Sequence, residues 1–107
     1  EEARLIYLGV AHGLATKEGK RLVVDIGGGS TELIIGRGMK PKHRESMYTG
    51  CVSASKQFFK KGKITEKRMQ AAETDAALIL FPQVADFRSG KWDEVSGCAG
   101  TIKAIRD

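Results

Sequence analysis

Ala3, Ile6 and Val10, with Leu5 and Gly9 beside them, recur at three- to four-residue spacing across residues 1–12. That spacing marks one face of a helix, and Gly13 follows as a stop. Residues 14–21 are polar and basic and predict a loop. The period then changes. Leu22–Ile26 is apolar except for Asp25, and Glu32–Ile35 is a second apolar run bounded by Gly36 and Gly38. Residues 42–52 are mixed, with Met47 and Val52, and predict a third strand. Together these segments read as a strand–turn–strand–strand meander.

The second half returns to helical spacing. Ser53–Phe59 predicts a short helix ended by the charged segment KKGK at 60–63. Thr65 suits a helix N-cap, with Glu66 in the first turn. Met69, Ala72, Ala76, Ile79, Leu80, Val84 and Phe87 then form a stripe expected to face a core, as are Phe58, Phe59 and Phe81. Pro82 falls inside that stripe and predicts a kink or break near Leu80–Phe81. WDEVSGCAGT at 92–101 reads as a short strand running into a glycine-rich turn, and TIKAIRD opens another helix.

At 107 residues the chain has room for one small domain, and 41% hydrophobic residues allow a core. The net charge of +5 favours polyanionic partners. Two cysteines far apart, Cys51 and Cys98, make neither a disulfide framework nor a zinc spacing. They read as small buried residues of a cytoplasmic protein. No apolar run reaches the length of a membrane span. The chain begins at Glu1 without Met and stops inside helical sequence, which reads as a piece of a longer protein.

Residues 23–36, VVDIGGGSTELIIG, carry the strongest chemical signal. Three glycines after a strand let a backbone approach a ligand closely, most often a phosphate. A P-loop requires a lysine after its glycines, and none follows here. A dinucleotide fingerprint requires a third glycine at position 32 and a helix, whereas TELIIG has strand character. The remaining phosphate device is a hairpin whose glycine turn offers backbone N–H groups. Gly27, Gly28 and Gly29 would supply positive φ and close approach. Ser30 and Thr31 would add hydroxyl donors, and Asp25 would face the phosphate through a metal or water. The plainer reading is a tight hairpin turn without a ligand.

EEARLIYLGV, VVDIGGGSTELIIG, GCVS and GCAGTIKA, in this order and spacing, resemble the exopolyphosphatase / guanosine pentaphosphate phosphohydrolase family along nearly the whole chain. The resemblance implies an α/β, ribonuclease-H-like domain of the actin-like ATPase superfamily, with a mixed sheet, an antiparallel meander and flanking helices. It further implies that residues 1–107 form part of the second domain, one wall of an interdomain cleft whose other wall lies on a preceding domain. The implied activity is Mg²⁺-assisted release of terminal orthophosphate from inorganic polyphosphate or guanosine pentaphosphate. The full-length protein would be a homodimer.

Carried over by position, Glu2 matches a catalytic glutamate that activates water, with Glu1 as its neighbour in register. Asp25 and Glu32 match acidic residues of the phosphate–metal site, Asp25 as the metal ligand and Glu32 as a catalytic residue. Without the resemblance, Glu2 is equally an acidic residue in a helix's first turn. Gly97, Gly100 and Thr101 make a second glycine turn. It reads either as a phosphate-chain contact at a helix N-terminus or as close packing with Thr101 as N-cap. KPKHR at 40–44 and KKGK at 60–63 read as solvated surface with a possible second use in steering a polyanion. His12 and His43 receive no role. Two other functions remain open: half of an ATP-binding actin-like protein or sugar kinase, and a basic nucleic-acid-binding module. The last lacks a stacking pattern of aromatics.

Overall fold

The computed structural model describes residues 2–13, 19–88 and 90–107; within the first helix, side chains are described at residues 3 and 5–9. Helix α1 (Glu2–Gly13) precedes strands β1 (Lys20–Ile26), β2 (Thr31–Arg37) and β3 (Lys40–Met47). Helices α2 (Cys51–Phe58), α3 (Glu66–Leu80) and α4 (Val84–Phe87) follow, then β4 (Glu94–Cys98) and α5 (Ala99–Arg106). The sheet order is β3-β2-β1-β4. β1 pairs antiparallel with β2 and parallel with β4, and β2 pairs antiparallel with β3. The meander is the one the periodicity predicts, the mixed sheet is the one the resemblance implies, and the chain after residue 30 continues as strand, not helix.

Strand alternation divides the core between the two faces of the sheet. On one face Val23 pairs with Ile34, and both lie fully buried beneath Tyr7 of α1, with Ala3 and Ile6 beside them. The Tyr7 hydroxyl donates to the Gly38 carbonyl at 3.0 Å, tying α1 to the β2–β3 turn. Burial pushes the Tyr7 phenol above its usual range, although the neighbouring Arg21 pulls it down. On the other face Leu22 and Ile35 pack with Phe87 of α4, flanked by Val24, Leu33 and Trp92. The Trp92 indole N–H donates to the Phe87 carbonyl at 2.9 Å.

Two expectations shift and one holds. The third strand ends at Met47, and α2 begins at Cys51, so Cys51 and Val52 belong to a helix and Cys51 is exposed. The break at Pro82 occurs as expected: α3 ends at Leu80, and a 3₁₀ turn over Phe81–Gln83 leads into α4. The stripe itself is not a core face. No residue of α3 is buried, Phe81 is 76% exposed, and only Phe87 at the far end reaches the core. α3 packs against α2 and the following 3₁₀ turn, which leaves Ala72, Ala76 and Ile79 half-buried and Met69 and Leu80 exposed.

The start of α2 explains the glycines before it. A helix leaves its first amides without partners. Here Cys51 donates to the Gly27 carbonyl at 3.1 Å, while Val52 and Ser53 donate to the Gly28 carbonyl at 2.9 and 3.0 Å. The glycine turn therefore caps α2. Gly50, the N-cap, has extended backbone (φ −164°), so conformational freedom is not what it provides. It provides room: a Cβ there would lie 2.5 Å from the carbonyl oxygens of both Gly27 and Gly28. Gly50→Ala should consequently cost about 1–3 kcal/mol or more, as forced overpacking against rigid backbone does. Denaturant unfolding of the intact protein, with amide exchange in α2, checks it; wild-type stability would contradict the tight approach.

Candidate functional site

The hairpin register sets Asp25 directly opposite Glu32, next to the glycine turn. By alternation both lie on the α1 face of the sheet, one step beyond the Val23–Ile34 pair. The same register adds Ser46 beside Glu32 on β3 and Cys98 beside Asp25 on β4. A row Ser46–Glu32–Asp25–Cys98 thus crosses all four strands at one end of the sheet. Two carboxylates placed directly across a strand pair repel each other, and the arrangement is costly without support. Glu32 is only 3% exposed. Its Oε1 accepts from the Ser30 hydroxyl at 2.9 Å and from the Ser46 hydroxyl at 3.1 Å. Asp25 is half-buried, and its Oδ1 is shielded from solvent.

The charges leave a mark on Cys98. Burial, then Asp25, then Glu32 raise its thiol above the usual range. The thiol lies 3.8 Å from the Val24 carbonyl, to which it donates.

The turn offers its amides in a fixed direction. Across a trans peptide the C=O and the next N–H point opposite ways. With the Gly27 and Gly28 carbonyls turned toward α2, the Gly28 and Gly29 N–H groups point away from it. Gly27 N–H is committed to the Ser30 carbonyl at 2.9 Å. Among the described residues, no backbone acceptor takes the Gly28 or Gly29 amide. The turn is therefore a ready donor pair for an anion, of the kind successive backbone amides make.

Several expected details change. None of Gly27, Gly28 and Gly29 has positive φ; a Cβ on Gly28 would meet Val52 Cγ2 at 3.2 Å and one on Gly27 the Ser30 carbonyl oxygen at 3.3 Å, while Gly29 has open space around it. The hydroxyls expected to reach a phosphate donate within the protein: Ser30 to Glu32, and Thr31 to the Thr49 carbonyl at 2.7 Å. Ser46 and Thr49, which support the site, carry no signal in the sequence, and Gly50 enters there only as the first residue of GCVS. Ser46 lies on β3, where only the register reveals that it meets Glu32.

The second glycine turn sits at the end of β4, beside β1. α5 starts from Cys98 as N-cap, so Thr101 is not the cap; it lies half-buried in the first turn. Gly97 is a packing glycine, since a Cβ would lie 2.5 Å from Ile102 Cγ2. Gly100 has open space around it. The strained residue is Ala99, whose φ of 74° costs about 1–2 kcal/mol for a residue with a Cβ. Glu2 opens α1, the helix that covers the carboxylate face, but its side chain, like Glu1, lies outside the described residues.

Among the described residues no cluster of three or more His, Cys, Asp or Glu side chains makes a complete metal site. Asp25 and Glu32 nevertheless suit Mg²⁺, a hard cation that typically takes one or two protein carboxylates and completes its shell with water and phosphate oxygens. The geometry of the row is testable without activity. Asp25→Asn removes a charge that raises the Cys98 thiol, so the thiolate fraction at mildly alkaline pH should increase. Maleimide labelling followed by mass spectrometry should find Cys98 reacting faster in the variant, with exposed Cys51 as internal reference. An unchanged ratio would separate Asp25 from Cys98.

The chain is similar to known proteins along its whole length. The model of the Ppx/GppA phosphatase family matches residues 1–107. The chain is 43% identical over 107 residues to a guanosine-5'-triphosphate,3'-diphosphate pyrophosphatase of Vibrio vulnificus, covering all of this chain and 21% of that protein. It is 43% identical over 104 residues to a putative exopolyphosphatase of Haemophilus influenzae, covering 97% of this chain and 32% of that protein. The chain thus spans between about a fifth and a third of the length of these curated relatives. The crystal structure of the Aquifex aeolicus Ppx/GppA phosphatase superposes with a TM-score of 0.74 at 34% identity, covering 97% of this chain and 33% of that one. The mixed sheet with flanking helices is the actin-like fold of these proteins. By the family match over its whole length, the chain belongs to the Ppx/GppA phosphatase family.

Proposed function

We propose that the whole protein is a phosphohydrolase that releases terminal orthophosphate from inorganic polyphosphate or guanosine pentaphosphate, and that this chain forms one wall of an interdomain cleft. The observation that carries the reading is the Asp25–Glu32 pair beside a turn whose Gly28 and Gly29 amides point away from α2. Relatives named as a guanosine-5'-triphosphate,3'-diphosphate pyrophosphatase and a putative exopolyphosphatase supply the substrate classes. Family membership favours hydrolysis over the ATP-binding and nucleic-acid readings.

Phosphoryl transfer demands positioning and charge neutralisation more than covalent chemistry. In this mechanism the Gly28 and Gly29 amides bind oxygens of the terminal phosphate. Asp25, with Glu32 beside it, would hold the metal, and Ser30 and Ser46 fix the Glu32 carboxylate. Bound Mg²⁺ supplies neutralisation of phosphate charge. Glu2, at the head of the helix over this face, takes the proton of the attacking water.

In the intact protein Glu2→Gln should lower turnover by roughly 10²–10⁴-fold, the size of a lost general base, with affinity largely retained. Asp25→Asn should shift the Mg²⁺ dependence instead. Orthophosphate release from long-chain polyphosphate measures both. Normal turnover by Glu2→Gln would move the base role to Glu32 or Glu1. The 107-residue chain alone should release no orthophosphate, because the groups that act on one phosphate must surround it. Turnover approaching that of the intact protein would show that one wall is enough.

A further inference from the structure

At the opposite end of the sheet from the glycine turn lies a cavity of about 340 Å³. β1 separates the two: Lys20 at its start borders the cavity, and Ile26 at its end leads into the turn, a span of about 20 Å at ~3.3 Å per residue. Four of the eight described residues lining the cavity are Lys or Arg, against 18 of 107 in the chain. They are Lys20, Arg37, Lys42 and Lys91, and each comes from a different segment. Among the described residues no side chain of the four is ion-paired with a carboxylate. Among the described lining residues Asp86 alone is acidic, and its Oδ2 lies 3.6 Å from His43 Nε2.

The backbone brings these cations together by two devices. First, Lys20 and Arg37 are cross-strand partners, and the loop carrying Lys91 is locked to the start of β1. Lys20 N–H donates to Asp93 Oδ2, and Asp93 N–H donates to the Lys20 carbonyl, each at 2.8 Å. Second, the β2–β3 ladder shifts register between Ile35 and Gly36: Ile35 pairs with His43, but Gly36 pairs with Pro41. Lys42 is the extra residue. In a regular strand consecutive residues face opposite sides, whereas here Lys42 and His43 line the same cavity. Such a bulge re-aims a side chain, and bulges concentrate at sites of function.

Unpaired cations crowded around a concavity focus positive potential there and attract anions. Arg37 offers a planar fork suited to phosphate oxygens, and the lysines offer compact charges. The volume falls at the lower end of the small-molecule range. We propose that this cavity is a second anion site, separate from the glycine turn, and that it takes a small condensed phosphate such as tripolyphosphate. The proposal rests on the charges around the cavity and stands whether or not the glycine turn is catalytic.

The test is lysine footprinting of the intact protein with an amine-reactive acetylating reagent, read by mass spectrometry. Tripolyphosphate is the probe, with EDTA present to remove divalent metal. At ten times the half-protecting concentration, labelling of Lys42 and Lys91 should slow about tenfold, as mass action requires. Labelling of Lys60 and Lys63, at the 3₁₀ turn Lys60–Gly62 that follows α2 and outside the described cavity lining, should not change. Arg37→Glu, a change at an exposed position, should abolish the protection of Lys42 and Lys91 while leaving the melting temperature unaltered. Three outcomes overturn the proposal: no protection at Lys42 and Lys91, equal protection at Lys60 and Lys63, or protection that survives Arg37→Glu. None of these readouts depends on turnover.

Discussion

The capping of α2 by the Gly27 and Gly28 carbonyls governs the chemistry this chain offers. A helix start needs acceptors, and a glycine turn has carbonyls to give. Once those carbonyls face α2, peptide planarity turns the Gly28 and Gly29 amides the other way. The helix therefore does not bind the anion itself, because its own first amides are spent on the turn. It acts as a brace that holds a donor pair in orientation before any ligand arrives, and donors held in advance need not reorganise during a reaction.

The carboxylate row depends on the same hairpin. A shift of one residue in the β1–β2 register would move Asp25 and Glu32 to opposite faces of the sheet. The Val23–Ile34 pair, fully buried under Tyr7, prevents that slip, since it would turn two apolar side chains out of the α1 core. Core packing thus fixes where two like charges meet, and the Ser30 and Ser46 hydroxyls offset part of their repulsion. At the other end of β1, Arg21 donates to Glu94 at 2.8 Å with its side chain only 3% exposed, so that a neutralised pair closes the α1 face.

What the sequence discloses is what local pattern encodes. Alternation and glycine spacing around residues 23–36 are enough to identify a hairpin with Asp25 and Glu32 beside its turn. Thr65 as N-cap and the break at Pro82 are equally local, and Thr65 does accept from Arg68 N–H at 3.1 Å. Gly50 is different: its need for space comes from Gly27 and Gly28, more than twenty residues earlier, and no nearby residue signals it. The same holds for Ser46, which meets Glu32 only through the β2–β3 register. The α3 stripe misleads for a related reason. Periodicity reports which face is apolar, but how far that face is covered depends on a partner surface, and among the described residues the stripe on α3 is at most half covered. Lys42 looked like one charge among several in KPKHR, and only the bulge beside it directs it to the cavity.

The direct measurement is a crystal structure of the intact protein soaked with phosphate or sulfate. The account predicts an anion within hydrogen-bond distance of the Gly28 and Gly29 amides, with the Gly27 and Gly28 carbonyls still accepting from Cys51, Val52 and Ser53. An anion held by the Cys51 and Val52 amides, with those carbonyls turned away, would contradict it.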